Sequence, residues 1–354
     1  MKSSFKRLEN YIHQVDEKNK DLITESVLGI NLDKYFMPSV ANIIGTDLTN
    51  YKVLRNKRFA CNPMHVGRDG RLPIALYQDN KPAIVSPAYF MFEINNNELD
   101  AEYLMLCFRR PLFDRLCTFK TDASVRGGIS WEDLCSIEIP LPSLEEQQKI
   151  VNGYITIENR INILQQLNDK LESMALLLYK SFVKNKDNNA TLKDIVKEND
   201  KSKIQVGEAD LTGKYPFFTS GEKILSDSAK LVEGKNIYVN TGGKFDVKYY
   251  SGPASYSTDT LSLSSSGISI LYTYLFLKAN FNIIEKTCFH GCALEHLQKN
   301  EFYNLRLYVP NTDEKEQITK KIERIFNQIS INKQEICSLI ELRHSILTLL
   351  GKEI

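Results

Sequence analysis

The chain has 354 residues, of which 42% are hydrophobic and 25% are charged, and its formal net charge is +1. This composition excludes a disordered or low-complexity protein, and the length allows two or three domains. The seven cysteines are irregularly spaced, which argues against a disulfide framework. Neither a signal-like apolar run nor an apolar stretch of membrane length is found, so we expect a cytoplasmic protein without membrane contact.

Charge is balanced within each half of the chain. Residues 1–141 contain 18 basic and 18 acidic residues, and residues 185–309 contain 15 and 14. Proteins that bind nucleic acid usually carry a clear basic excess. If DNA is the ligand, positive charge must be local to one face, or partner subunits must supply much of the attraction to phosphate.

Residues 1–141 have the patterns of a mixed α and β domain. The segments YFMFEI (89–94) and IEIPLP (137–142) predict strands, and EYLMLCF (102–108) predicts a short helix.

A long helix is predicted over residues 142–184. Ser143 and Glu146 have the spacing of a capping box, which satisfies free amides at a helix start. Apolar residues then recur at alternating steps of four and three, the pattern of a coiled-coil seam, with one polar interruption. The seam positions are Ile150, Tyr154, Ile157, Ile161, Leu164, Asn168, Leu171, Ala175, Leu178 and Phe182.

Residues 185–309 repeat the pattern of the first domain. Ser86 aligns with Ser257 at an offset of 171, and Ile139 aligns with Leu307 at an offset of 168. The segments LSLSSS (261–266) and LRLYVP (305–310) predict strands, and YTYLFLK (272–278) predicts a short helix. Internal repetition is therefore the strongest organisational signal in the chain.

A second long helix is predicted over residues 310–354, with Asn311 and Glu314 at its start. Its seam repeats that of the first helix without a gap, because equivalent residues differ by 168 in number throughout. Its seam positions are Ile318, Ile322, Ile325, Ile329, Asn332, Ile336, Leu339, Arg343, Ile346 and Leu350.

Matched length and matched polar interruption favour pairing of the two helices in an antiparallel coiled coil. In a flush antiparallel pair, core partners have residue numbers that sum to 500, so Asn168 faces Asn332. Two alternatives stay open: each seam could lie on its own globular core, and each asparagine could be a solvated rim residue. The predicted fold class is α+β, with two pseudo-repeated mixed domains and two long helices that form a rod of about 50 Å between them.

The combination of motifs resembles the DNA specificity (S) subunits of type I restriction-modification systems. The first half is similar to one type of target-recognition domain in NPMHVGRDGRLPIAL (62–76), AIVSPAYFMFEI (83–94), EYLMLCFRRPLFDR (102–115) and TDASVRGGISWEDL (121–134). The second half has the looser YPFFTSGEK (215–223) and STDTLSL (257–263) of another type. Both helix starts, LPSLEEQQKI and VPNTDEKEQI, also match the family pattern.

The resemblance implies a non-catalytic subunit that reads a bipartite target in double-stranded DNA. Residues 1–141 and 185–309 would be the two target-recognition domains, and 142–184 and 310–354 the spacer helices. Two methylation subunits would dock on the helices and bind S-adenosylmethionine, and restriction subunits that use ATP and Mg²⁺ would join them. No cofactor or metal is expected in this chain.

Loop segments rich in donors and positive charge are the candidate DNA contacts, because Arg pairs with guanine, Asn pairs with adenine, and glycine-flanked amides hold phosphate. Composition alone favours solvated surface loops, and the resemblance favours DNA contact. The candidates in the first domain are Asn62, His65, Arg68, Arg71, Ser124 and Arg126. The candidates in the second domain are Ser220, Lys223, Asn240, Thr241, Lys244, Lys248 and Tyr250, with Tyr249 beside them.

Other functions are less well supported by the sequence. Cys288, His290, Cys292 and His296 lack the paired spacing of a metal site. The segment NPMH (62–65) lacks the second proline and the aromatic residue of an amino-methyltransferase motif, and no glycine-rich methyl-donor loop accompanies it. A free-standing DNA-binding or scaffold protein that dimerises through its own coiled coil remains the alternative from a different class.

Overall fold

The computed structural model describes residues 4–41, 45–64, 66–121, 127–265, 267–291 and 295–350. The chain divides into two compact units, which share the two long helices. Unit 1 comprises Met1–Ile163 and Ile336–Ile354, and unit 2 comprises Leu164–Glu335. None of the helices in the described ranges combines the length and the apolar composition that a membrane span requires.

Unit 1 is built around a four-stranded antiparallel sheet of order β2-β9-β6-β7, with the two-stranded pairs β1-β10, β3-β4 and β5-β8 beside it. Its strands are β1 (Ser4–Arg7), β2 (Ile12–Gln14), β3 (Leu28–Ile30), β4 (Phe36–Pro38), β5 (Lys52–Leu54), β6 (Phe59–Cys61), β7 (Ile74–Leu76), β8 (Ala83–Val85), β9 (Phe90–Ile94) and β10 (Glu138–Leu141).

The helix α2 (Ala101–Phe108) of unit 1 buries six consecutive residues in the same core as Phe59 and Phe92 of the sheet. Stacked Phe59 and Phe92, with ring centroids 5.0 Å apart, lie at the centre of the core, and Phe108 of α2 contacts both. The helices are α1 (Val66–Asp69), α2 (Ala101–Phe108), α3 (Pro111–Phe119), α4 (Trp131–Cys135) and α5 (Leu144–Val183), whose second half belongs to unit 2.

Unit 2 has a four-stranded antiparallel sheet of order β12-β18-β15-β16, a three-stranded sheet β14-β13-β17, and the pairs β11-β21 and β19-β20. Its strands are β11 (Ala190–Thr191), β12 (Val196–Glu198), β13 (Tyr215–Phe218), β14 (Leu225–Asp227), β15 (Lys235–Asn240), β16 (Val247–Ser251), β17 (Ser255–Tyr256), β18 (Thr260–Ser265), β19 (Phe289–His290), β20 (His296–Leu297) and β21 (Arg306–Leu307).

The helices of unit 2 include α7, which is apolar over nearly its whole length and buries eight residues between the sheet and the long helices. The helices are α6 (Leu192–Ile195), α7 (Ile270–Ala279), α8 (Phe281–Cys288), α9 (Lys299–Tyr303) and α10 (Thr312–Leu349), whose second half belongs to unit 1.

The two units share one topology, as the internal repetition predicts. The four-stranded sheets correspond strand for strand, and the strand pair β1-β10 before α5 corresponds to β11-β21 before α10, whereas the smaller sheets differ between the units. Register agrees as well: Phe59 pairs with Phe92 and Ile237 pairs with Leu263, where Phe92 and Leu263 are equivalent at the offset of 171. The predicted α+β class and the predicted strands and short helices are therefore confirmed.

Both long helices begin with the predicted capping residues. The N–H of Glu146 donates to Ser143 Oγ at 3.4 Å, and the N–H of Glu314 donates to Asn311 Oδ1 at 3.0 Å. A further residue of the first motif was not predicted: Gln147 is fully buried, and its amide donates to the carbonyls of Glu98 and Pro142 at 2.7 and 2.9 Å. This side chain ties the helix start to the loop before α2.

The long helices pack against each other in antiparallel orientation. In unit 1, Ile150 and Tyr154 of α5 belong to the same core as Ile346 and Leu347 of α10. In unit 2, the second half of α5 shares a core with the first part of α10. This core contains Ala175 of α5 and Ile318, Ile322, Ile325 and Ile329 of α10. The burial of apolar side chains on both halves of each helix explains why the seam of three- and four-residue steps continues over 33 residues, from Ile150 to Phe182 and from Ile318 to Leu350.

Candidate nucleic-acid interface

The loop after β6 in unit 1 is shaped by Asn62. Its backbone N–H donates to the Pro73 carbonyl at 2.8 Å, and its Oδ1 accepts the N–H of Met64 at 3.1 Å. The side chain therefore closes a local turn, a role for which Asn is suited. The next candidate, His65, lies outside the described residues.

Arg68 and Arg71 present the positive charge of this loop. Arg68 lies in the single turn of α1 and donates to both carboxylate oxygens of Asp69, at 2.7 and 2.9 Å, and this pairing raises the pKa of the guanidinium. Arg71 Nη1 donates to Asp33 at 3.2 Å. Both arginine side chains are more than half exposed, at 59% and 54%, so both guanidinium groups can be reached from solvent although each already has a carboxylate partner.

Residues distant in sequence meet this loop. The N–H of Gly67 donates to the Gly127 carbonyl at 3.2 Å, and the N–H of Ile129 donates to the Pro63 carbonyl at 3.1 Å. A Cβ on Gly128 would lie 3.0 Å from the Pro63 oxygen, so the close approach favours glycine there. The structure thus joins segments 62–71 and 127–129, whereas the candidates Ser124 and Arg126 lie outside the described residues.

In unit 2, the two candidate segments converge on one backbone carbonyl. Ser220 Oγ donates to the Asp259 carbonyl at 2.8 Å, and the N–H of Thr241 donates to the same oxygen at 3.0 Å. A third hydrogen bond holds the loop around residue 220, because the ammonium of Lys248 donates to the Gly221 carbonyl at 2.9 Å. The loops around 220 and 241 therefore form one surface, which was not evident from a sequence separation of about twenty residues.

Asn240 is a structural residue of this surface. Its side chain is 2% exposed, its Nδ2 donates to the carbonyls of Gly242 and Lys244, and its Oδ1 accepts the N–H of Asp246. All of these partners belong to the β15–β16 turn. The amide group is therefore used in closing the turn, and the predicted base contact by Asn240 would require the turn to open.

Lys248 is likewise committed to local partners. It pairs with Asp246 at 2.7 Å, and its side chain is only 16% exposed. The sequence analysis did not predict Asp246, which lies in the turn directly before β16. Lys248 therefore supports the shape of the loops more than it adds charge to their surface.

Lys223 and Lys244 are the exposed cations of this surface. Neither ammonium forms an ion pair or a hydrogen bond with any other residue that the structure describes. Thr241 and Tyr250 are half-buried, and the Tyr250 ring lies 5.7 Å from that of Phe218. Tyr249 points to the opposite face, where its ring meets Phe326 of α10 at 5.5 Å and burial raises its pKa.

All twenty seam positions of the long helices are buried or half-buried. Asn332 Nδ2 donates to Asn168 Oδ1 at 2.8 Å, as the sum of 500 predicts, and the second polar seam residue, Arg343, pairs with Glu158 at 2.7 Å. Outside the seam, α5 and α10 carry large exposed apolar side chains. Two pairs occupy equivalent positions: Ile163 and Ile331 are each 56% exposed, and Met174 and Leu342 are each 51% exposed.

Two of the four residues considered for a metal site, His290 and His296, lie on the paired strands β19 and β20. His290 Nε2 lies 3.0 Å from Glu301 Oε2, and His290 faces His296 across the β19–β20 pair. In the described part of the chain, no group of three side chains is placed to hold a metal ion. Cys292 lies outside that part.

Comparison with known proteins relates both units to one family. The model of the type I restriction modification DNA specificity domain matches residues 47–173 and again residues 185–341. The type I restriction enzyme EcoDI specificity subunit of Escherichia coli is 22% identical over 134 residues. That alignment covers 38% of this chain and 30% of the relative, so less than a third of the relative's length is matched.

Solved structures extend the comparison to the whole chain. The S subunit of a type I restriction-modification system from M. genitalium has a TM-score of 0.59 at 16% identity, over 99% of this chain and 96% of that one. The HsdS subunit from Thermoanaerobacter tengcongensis has a TM-score of 0.43 at 15% identity, over 98% and 96%. The first of these establishes a shared fold.

Proposed function

Because this chain belongs to the family of type I restriction-modification DNA specificity subunits, we propose that its two units each read one half of a bipartite DNA target. The specificity subunit is the non-catalytic member of such a system. One observation carries the proposal: two matches to the same DNA specificity domain fall on two units whose four-stranded sheets have the same strand order. Two equivalent DNA-recognition units in one chain are suited to a DNA target that consists of two half-sites.

Four functional segments follow from this proposal. Residues 1–141 and 185–309 are the target-recognition domains, and residues 142–184 and 310–354 are the spacer helices. The compact units differ from these segments, because each unit also contains a part of both long helices. Recognition and spacing are thus functions of different segments, although each recognition domain shares its core with the helices.

DNA contact in the first domain is assigned to Arg68 and Arg71, together with His65, Ser124 and Arg126. In the second domain it is assigned to Lys223 and Lys244, with Ser220, Thr241 and Tyr250 around them. Lys223 and Lys244 can attract phosphate without breaking an ion pair first, and phosphate binding by such cations is favoured by the release of counterions from DNA. Arg68 and Arg71 would exchange Asp69 and Asp33 for phosphate. Asn62, Asn240 and Lys248 act by holding the loops in shape.

The long helices are the docking platform for two methylation subunits, which would bind S-adenosylmethionine. Support comes from the exposed apolar pairs Ile163 with Ile331 and Met174 with Leu342, because each pair repeats at the offset of 168 with equal exposure. A duplicated apolar surface suits two copies of one partner. Restriction subunits that use ATP and Mg²⁺ would join this core complex.

The lengths of α5 and α10 set the spacing between the two half-sites. Removal of one matched heptad from each helix preserves the seam, because seven residues are one full repeat of the coiled coil. The preferred spacer in the DNA target should then change. An unaltered spacer in the shortened protein would refute this role.

The proposed function is tested by mapping methylated adenines in DNA from cells with and without this protein. A split motif that disappears with the protein is the expected result, and it identifies both half-sites. The absence of any motif that depends on the protein, together with a stable sequence-selective homodimer that binds no methylation subunit, would favour a free-standing DNA-binding protein. Methyl transfer by the purified chain alone would contradict a non-catalytic subunit.

Docking is tested by copurification with the methylation subunit. The double variant Ile163→Ser, Ile331→Ser removes one equivalent apolar pair and should weaken copurification at least tenfold. Gln165→Ser with Lys333→Ser is the matched control, because both positions are exposed and are also related by the offset of 168. Equal retention of the partner by both double variants would exclude this surface.

A further inference from the structure

A cleft of about 340 Å³ opens in unit 1 between the β3–β4 hairpin, α2 and the first half of α5. From its lining and charge, we infer that it is a binding site for a small carboxylic acid with an apolar body. This inference is independent of DNA reading, because the cleft contains none of the candidate DNA contacts.

The hairpin side of the cleft is held by a buried lysine. Lys34 lies in the left-handed region at φ 67°, and its side chain is 4% exposed. Its ammonium donates to the carbonyl of Phe108 and, at 2.8 Å, to Asp114 Oδ1. These buried bonds fix the tip of the hairpin and thereby the position of Tyr35 at the mouth of the cleft.

Arg109 lies between two aromatic rings. Its guanidinium carbon is 4.8 Å from the ring centroid of Tyr35 and 5.8 Å from that of Tyr154 on α5. Such stacking holds the planar group in place and leaves its charge uncompensated. Arg109 Nε is buried without a hydrogen-bond acceptor, and the guanidinium forms no ion pair with any described residue.

The carboxylates that line the cleft are already engaged. Glu102 accepts a hydrogen bond from the Gln78 amide at 2.9 Å, and Glu158 is paired with Arg343 at 2.7 Å. Lys34 is paired with Asp114. Among the described residues, Glu102 has only the neutral Gln78 amide as its partner, and of the two described cations in the lining Arg109 is the one without a carboxylate partner. A ligand carboxylate beside Arg109 would supply that partner.

The remaining lining is largely apolar. Its members include Phe36, Leu76, Met105, Leu106, Val151 and Ile155. An apolar cleft with few polar groups is typical of small-molecule sites, and this volume is at the lower end of their range. A ligand with one carboxylate and an aromatic or aliphatic body matches both the surface and the charge.

The pseudo-repeat provides an internal comparison. Strand register makes Leu76, which pairs with Phe59, equivalent to Tyr249, which pairs with Ile237. The offset of 168 makes Glu158 equivalent to Phe326. In unit 2 these two rings meet at a centroid distance of 5.5 Å, and Phe326 is 7% exposed. The fold therefore accommodates aromatic rings at both positions. In unit 1 the smaller side chain of Leu76 and the charged side chain of Glu158 leave space between the two positions.

The test is a titration of the full chain with 4-fluorophenylacetate, followed by ¹⁹F NMR. The neutral 4-fluorophenylacetamide has nearly the same shape and serves as the matched ligand. We expect saturable binding of the acid with a Kd of about 1 mM, which is ordinary for a ligand of this size, and at least fivefold weaker binding of the amide. Failure of the acid to bind at about 10 mM, or equal binding of acid and amide, would overturn the inference.

Two variants locate the binding. Arg109→Met removes the cation, and Leu76→Tyr places in unit 1 the ring that unit 2 carries; each should weaken binding of the acid at least tenfold. Arg115→Met, at an exposed position of α3 outside the cleft, should leave binding unchanged. If Arg109→Met fails to fold, as judged by circular dichroism, Leu76→Tyr decides alone. Unchanged affinity in the folded variants would rule out this cleft.

Discussion

Asn332 donates a hydrogen bond from its side-chain amide to Asn168 Oδ1, at 2.8 Å, in the helix seam of unit 2. Asn332 is 2% exposed, and its own Oδ1 accepts a hydrogen bond from Gln328 at 2.8 Å. The pair is a satisfied polar contact in an otherwise apolar seam. Such contacts cost stability and specify register, because any shifted pairing leaves a buried amide without a partner.

Replacement of both asparagines by leucine should therefore stabilise the chain by about 1 to 2 kcal/mol and loosen the register. The single variant Asn168→Leu should instead destabilise it by about 1 to 3 kcal/mol, since the amide of Asn332 stays buried and loses this partner. Denaturant unfolding measures the stabilities. Disulfide trapping of Leu171→Cys with Ile322→Cys, a pair shifted by one heptad, measures the register. Equal stability and equal trapping in the double variant and the parent would contradict the role.

Loss of Lys223 or Lys244 should weaken DNA binding by the assembled complex uniformly across sequences. Each removed phosphate contact should lower the slope of log affinity against log salt by about 1. Fluorescence anisotropy over a range of salt concentrations measures this slope. Lys286→Ala, at an exposed position of α8, is the control and should leave the slope unaltered. An unchanged slope in both Lys223→Ala and Lys244→Ala would remove these residues from the interface.

Asn240→Ala should act on stability and not only on DNA binding. The substitution leaves the N–H of Asp246 without its side-chain acceptor and removes the two bonds to the carbonyls of the turn. We expect a loss of about 1 to 3 kcal/mol in the free energy of unfolding. Lys244→Ala in the same turn is the matched control and should have no measurable effect on unfolding. A variant as stable as the parent would return Asn240 to the set of direct DNA contacts.

Glu17 should make unit 1 sensitive to acid. Its carboxylate accepts hydrogen bonds from Arg55 at 2.6 Å and from Arg58 at 2.5 Å, and chiefly the bond to Arg55 lowers its pKa to about 2. Because the folded-state pKa lies below the ordinary value of 4.5, the stabilisation is complete above pH 4.5 and is lost as the pH falls toward 2. Screening by solvent limits the contribution to about 1 to 2 kcal/mol.

Glu17→Gln should therefore be less stable than the parent at pH 7, and the difference should shrink progressively below pH 4.5. Urea unfolding at several pH values measures the difference. Glu25→Gln, at an exposed position of the same unit, is the control at pH 7. A difference between Glu17→Gln and the parent that stays constant from pH 7 to pH 2 would contradict the assignment of this pKa.

The elements of this protein could be predicted from sequence because they depend on short-range patterns. The seam of α5 and α10 repeats every three or four residues, the capping residues lie three apart, and the strands β9 and β18 alternate, so each pattern is complete within a few turns or one strand. The contact between Asn168 and Asn332 was also predictable, because a flush antiparallel pairing of two helices of matched length determines which seam residues face each other.

Only the tertiary structure decided which polar groups remain available. Lys34 meets Asp114 across 80 positions, Lys248 meets the Gly221 carbonyl across 27, and Gln147 meets the Glu98 carbonyl across 49. Such contacts decide whether a lysine or asparagine side chain can bind a ligand or is already hydrogen-bonded within the fold. The two residues of such a contact have no fixed spacing in the sequence. The same reason applies to the cleft of unit 1: Arg109 and Tyr35 are brought together by packing, and no local pattern connects them.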